Sequence, residues 1–213
     1  MVTLAKEMLL DVAGRPLCAR VACRVRAVQD GVDQLWYVDG DDPRLRPQVT
    51  ATNGCRAGRR VAERGRPGPG LVATELLLDR TLEVGERYEV SFFVSYEERD
   101  GSVPPTGPVR PTGPVPPTGP VRPAEPVLRQ LVTSPLESLE FGVSFDPAAP
   151  PGAVLACRWR ARDGAEVSRR ELTVPGCRSY QLVVADPVPG AYGWRWAAVA
   201  PVRLPTRPGT SAA

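Results

Sequence analysis

The side chains that could do chemistry are carboxylates, arginines and thiols; imidazole is missing. Carboxylates cluster at Asp39-Gly40-Asp41-Asp42-Pro43 and recur at Glu97-Glu98. Paired carboxylates can divide acid and base roles in glycoside hydrolysis, and clustered ones suit a hard cation such as calcium. The ligand order of a calcium-binding helix–loop–helix, with Gly sixth and a distal Glu, is not met. Asp and Gly also favour plain turns. Arginines gather at Arg56, Arg59 and Arg60 and again at Arg158, Arg160 and Arg162. Arginine groups bind phosphates and other anions. No aromatic residues are interleaved around 55–66 for base stacking, and charged residues on an edge strand also deter unwanted pairing.

The five cysteines, Cys18, Cys23, Cys55, Cys157 and Cys177, contain no C-x-x-C pair. Irregular spacing and an odd count fit free thiols in a reducing compartment. A Cys157–Cys177 disulfide stays open, because both cysteines fall on neighbouring predicted strands. With no histidine anywhere, Ser-His-Asp and Cys-His nucleophiles are excluded within the chain, as are His-ligated zinc sites. No catalytic residue, metal ligand or cofactor site is assigned.

Positioning falls to strands. Tyr180, Leu182 and Val184 alternate, Asp186-Pro187-Val188-Pro189-Gly190 breaks the run, and Tyr192, Trp194 and Trp196 alternate after it. Period-two spacing puts each set on one face, and a face that apolar must be covered. A second copy of this pattern runs from Leu76-Leu77-Leu78 through Gly85 to Tyr88, Val90, Phe92, Val94 and Tyr96. Both resemble the tyrosine corner of immunoglobulin-like sandwiches, in which a Tyr hydroxyl ties the turn down. Tyr88 and Tyr192 are assigned that role, with Trp194 and Trp196 as structural neighbours. The stretch 155–162 reads as an amphipathic strand, with Leu155, Cys157, Trp159 and Ala161 inside and Arg158, Arg160 and Arg162 lining an outer face. Leu17 to Val28, Gln34 to Val38, Pro47 to Asn53, Leu71 to Asp79, Arg87 to Glu97 and Leu139 to Phe145 are further strands. Helical periodicity is hard to find before residue 100.

Between the strand-rich halves, P-T-G-P-V-R (105–110), P-T-G-P-V-P (111–116) and P-T-G-P-V-R (117–122) form a six-residue repeat. Proline has no amide to donate and blocks both helix and central strand, so an extended polyproline conformation is expected. The repeat contains P-x-x-P-x-R at Pro105/Pro108/Arg110 and Pro117/Pro120/Arg122. That is the form of ligand taken by aromatic-lined grooves; a passive surface insert is the simpler reading.

The predicted fold is all-β, an immunoglobulin-like β-sandwich in two halves. Residues 1–100 form the N-terminal sandwich, 101–126 the Pro-rich linker, 127–200 the C-terminal sandwich and 201–213 a disordered tail. One larger sandwich carrying the repeat as an inserted loop is the alternative. Net charge is only +3, which does not by itself argue for a nucleic-acid partner, and direct nucleic-acid binding is not expected. No window approaches a membrane span, and the first residues lack a signal-peptide core, so a cytoplasmic protein is expected.

The succession C-R-A-G-R-R, then L-V-A-T-E-L-L-L-D-R-T-L-E-V-G-E-R-Y, then S-P-L-E-S-L-E-F-G-V-S-F-D-P, then L-V-V-A-D-P-V-P-G-A-Y-G-W-R-W resembles a region of certain actinobacterial regulators. These are helix-turn-helix proteins of the xenobiotic-response-element (XRE) family, and the region is the one that follows their DNA-binding module. The resemblance spans about residues 7–198 without the repeat and implies a regulatory or sensing β-domain of unknown ligand. The helix-turn-helix itself has no counterpart before residue 50, so DNA binding does not carry over. The expected function is a non-enzymatic regulatory or interaction module binding a protein or small ligand. A transcription-associated protein working with a separate DNA-binding partner is second. A hydrolase using carboxylates among Asp39, Asp41, Asp42, Glu97 and Glu98 is third.

Overall fold

The structure, a computed structural model, describes residues 2–39, 45–62, 72–98, 126–132 and 135–198. These residues form strands and no helix. Before the repeat come β1 (Thr3–Leu10), β2 (Pro16–Arg26), β3 (Val32–Asp39), β4 (Leu45–Asn53), β5 (Cys55–Ala62), β6 (Val72–Leu82) and β7 (Arg87–Glu98). After it come β8 (Val127–Val132), β9 (Ser138–Ser144), β10 (Pro151–Trp159), β11 (Glu166–Glu171), β12 (Ser179–Ala185) and β13 (Gly190–Ala198). Asp41, Asp42, the repeat with Arg110 and Arg122, and the tail 201–213 lie outside the described residues.

The strands make three sheets. A six-stranded floor runs β12-β9-β1-β2-β7-β4, and two roofs run β11-β10-β13-β8 and β3-β6-β5. Each half of the chain keeps its own roof, while the floor passes through both. The join is a parallel ladder between β1 and β9, with Leu4 beside Leu139, Lys6 beside Phe141 and Met8 beside Val143. The chain is an all-β sandwich in which one buried cluster holds residues from both halves.

Alternation explains which face each strand buries. Leu4, Met8 and Leu10 of β1, Val21, Cys23 and Val25 of β2, and Val90, Phe92 and Val94 of β7 all point from the floor into the core. On the C-terminal side, Phe141 and Phe145 meet Tyr180, Trp194 and Trp196, with Phe145 edge-on to Trp196 at 5.4 Å between ring centres. Edge-to-face pairs of this kind add about 0.5–1.5 kcal/mol each beyond the area they bury.

The segment from Ser179 to Trp196 is an arch between sheets. Its first strand pairs with β9 in the floor and its second with β10 and β8 in the roof. Pro187 and Pro189 lack the amides that a hairpin ladder would need. The Tyr192 hydroxyl donates to the Val188 carbonyl at 2.9 Å, four residues upstream. The other corner, between β6 and β7, also crosses between sheets, but Tyr88 makes no such bond among the described residues. There the Gly85 amide donates to the Ala27 carbonyl at 2.8 Å and the Val84 amide to the Asp30 carboxylate at 2.7 Å. Tyr88 instead packs its ring under the Arg80 guanidinium. Tyr180 bonds back to the Cys177 carbonyl at 3.3 Å, a tie not expected from the sequence.

At the middle of the C-terminal roof, a Cβ on Gly193 would run into the Leu128 carbonyl oxygen of β8. Gly193→Ala should therefore cost about 1–3 kcal/mol through forced backbone displacement. Val167→Ala, on an exposed side chain of the same sheet, should stay within about 0.5 kcal/mol. Urea unfolding of the two variants checks the contrast.

Candidate functional site

The two roofs do not close over the floor. Strand β3 is the inner edge of one and β8 the inner edge of the other, and residues of both line a cleft of about 310 Å³ between them. Floor residues Val25 and Phe92 form its base, Leu35 and Leu76 one wall, and Val132 and Leu136 the other. The size falls at the lower end of the range for small-molecule sites, which are mostly apolar with a few placed polar groups. Here the polar groups are Tyr37 and Gln130. Gln130 is 5% exposed, and its side-chain amide donates to the Leu131 carbonyl at 3.2 Å. Its side-chain oxygen has no donor among the described residues. Among the described residues of the lining Arg26 is the one that carries a charge, and its position in β2 falls on the solvent side of the floor, in step with exposed Arg24 and Arg20.

Beside the cleft lies a buried polar cluster. Lys6, the only lysine of the chain, occupies a core-facing position between Leu4 and Met8 and is 1% exposed. Its ammonium reaches Asp39 at the end of β3 at 3.2 Å. The same carboxylate oxygen accepts the hydroxyls of Tyr37 at 2.9 Å and Tyr96 at 2.5 Å. The ammonium also lies 5.8 Å from the Tyr37 ring centre and 5.9 Å from that of Phe141. One side chain of β1 thus contacts the N-terminal roof and the C-terminal floor together. Burial, then the negative charge of Asp39, holds both tyrosine hydroxyls well above their ordinary pKa. Burial, reinforced by nearby Cys55, pushes the Cys23 thiol of the cleft up to about 12.

The expected arginine groups are dispersed. Strand β10 ends at Trp159, so Arg160 and Arg162 fall in the following turn. Arg158 shares the face of core residues Val154 and Ala156, with its guanidinium against the Tyr192 ring. The face carrying Cys157 and Trp159 points away from the main core, and Arg129 covers the Trp159 ring at 4.6 Å. The expected inside and outside of this strand are therefore exchanged. The cause is that Arg129 buries the indole as effectively as a core would.

Strand β5 is an edge, and a register shift between Ala57 and Arg60 bulges it. Arg59 is engaged by buried Glu75 through its amide at 3.1 Å and its guanidinium at 3.4 Å. Arg60 donates to Gln48 at 2.9 Å, and Arg56 is exposed. Glu98 pairs with Arg15 and Glu97 accepts from Gln48, so neither joins Asp39. Among the described residues no cluster of His, Cys, Asp or Glu is placed to hold a metal ion. None of the five cysteines is joined in a disulfide; Cys157 lies on β10, whereas Cys177 lies in the turn before β12. Lys6, Tyr37, Tyr96 and Gln130 were not singled out from sequence. The available signal was a lone lysine at an inward position of an otherwise apolar alternation.

Compared with protein-family models and with curated proteins, the chain matches none. No helix among the described residues is long and apolar enough to cross a membrane.

Removing one partner of a buried ion pair leaves the other charge uncompensated, so Lys6→Met should lower stability by about 3–5 kcal/mol. Adding Asp39→Asn should recover part of the loss, as read by chemical unfolding. The tyrosines bind their protons more tightly folded than unfolded. Their contribution is therefore complete below the unfolded value of about 10 and is lost as pH rises beyond it. Stability followed by circular dichroism should fall above about pH 10, and Tyr37→Phe with Tyr96→Phe should flatten that fall.

Proposed function

We propose that this chain is a non-enzymatic regulatory module of the cytoplasm that binds a small, largely apolar ligand in the cleft between its two roofs. The observation carrying this reading is the cleft itself, about 310 Å³ of apolar space between two sheet edges that share one floor. Gln130 supplies a buried hydrogen-bonding group for a single polar atom of the ligand, and the apolar side chains that dominate the described lining favour a neutral molecule. Chemistry is disfavoured because the titratable groups inside, Cys23 and Tyr37, are held in their protonated forms by burial, which leaves neither a nucleophile nor a base.

The walls support a regulatory role. Leu35 belongs to the N-terminal half and Val132 to the C-terminal half, so a ligand between them favours one placement of both roofs. A ligand shifts a conformational balance only through such differential contact. Five cysteines without a disulfide between them support a reducing compartment.

The neutral fluorophore N-phenyl-1-naphthylamine tests the reading. Saturable uptake at one site is expected, with Leu35→Trp and Val132→Phe each reducing it at least tenfold while circular dichroism is retained. Absence of saturable uptake, or equal uptake by both filled variants, would overturn the assignment.

A further inference from the structure

The three sheets present six outer strands: β12 and β4, β3 and β5, β11 and β8. Five of them carry charge. Arg46 and Pro47 stand in β4, Asp33 and Asp39 in β3, and Arg129 in β8. Strand β5 adds three arginines and its bulge, and β11 holds Glu166, Arg169, Arg170 and Glu171. Such devices prevent a sheet edge from recruiting another strand. Strand β12, S-Y-Q-L-V-V-A, has neither charge nor proline. It runs alongside β9 from Ser179 to Ala185 without a register shift.

The hydrogen bonds fix which backbone groups face outward. The Asp186 amide donates to the Glu137 carbonyl and the Phe145 amide to the Arg178 carbonyl. Residues in step with 178 and 186 therefore spend their backbone groups on β9. Ser179, Gln181, Val183 and Ala185 turn theirs away from it, and all four side chains are exposed, Val183 to 62%. Among the described residues no strand pairs with this edge.

We propose that β12 pairs antiparallel with β12 of a second copy of the chain about a two-fold axis, making one continuous sheet from two floors. Pairing centred on Leu182 sets Ser179 of one copy opposite Ala185 of the other, and Gln181 opposite Val183. Every outward backbone group of the edge then has a partner. The occupant is a second copy because the edge is self-complementary. No like charges meet across the axis, and no fixed charge is present to select a foreign charged strand. A two-fold contact of this kind also closes, giving a dimer and not a fibre.

Sedimentation velocity of the full chain over a wide concentration range tests the proposal. A concentration-dependent dimer is expected. Val183→Lys should convert it to monomer with its circular dichroism spectrum retained. Val183→Pro, which removes an amide that β9 does not use, should do the same. Val84→Lys, on an exposed turn at the other side of the floor, should leave the dimer unchanged. A wild-type chain that sediments as monomer throughout, or a Val183→Lys variant that dimerises as strongly as wild type, would sink the proposal.

Discussion

The parallel ladder between β1 and β9 is the constraint on which the rest of the molecule depends. It makes one floor from strands on both sides of the proline repeat. Because the floor is continuous, the two roofs must lie side by side on a common base. Because the roofs come from separate stretches of chain and do not pair with each other, their inner edges leave a gap. The apolar cleft is thus a consequence of topology.

Lys6 sits in the middle of that ladder, and its register is unforgiving. A slip of one residue would turn Leu4, Lys6 and Met8 to solvent and bring Glu7 into the core. Burying an ammonium is costly unless it is paired and hydrogen-bonded. Asp39 meets it only when β3 ends where it does, and Tyr37 and Tyr96 engage the same carboxylate only when β3 and β7 are in place. The cluster is thus satisfied only when β1, β3 and β7 are all in register, the kind of constraint for which a pairing-selective role of buried polar groups is best attested. Tyr37 serves both this cluster and the cleft wall, linking the positioning of the floor to the shape of the site.

Much of the fold was legible because alternation is a local signal. Tyr192, Trp194 and Trp196 face the core as their spacing requires, and the strands around Gly85 and Gly190 are bounded by residues that break ladders. Sheet membership was not legible. Whether β12 pairs with β13 or with β9 depends on partners far away in sequence, and the arch shares its residue pattern with a hairpin. The face of β10 was misread because Arg129, thirty residues upstream of Trp159, covers the ring, and no periodicity within β10 reveals that. For the site, the arginine-rich stretches form no common surface: Arg59, Arg60 and Arg158 are tied to Glu75, Gln48 and the Tyr192 ring, and Arg160 to Asp163. The cleft is built from ordinary apolar residues of separate strands, which carry no motif.

Hydrogen exchange of the β1 amides tests the shared floor most directly. Interior strands have backbone partners on both sides, so every amide from Leu4 to Leu9 should exchange only with global unfolding, at rates that match one another and those of β9. If β1 were instead the edge of a separate N-terminal sandwich, alternate amides along it would exchange orders of magnitude faster than their neighbours. That alternating pattern would contradict a floor running through both halves.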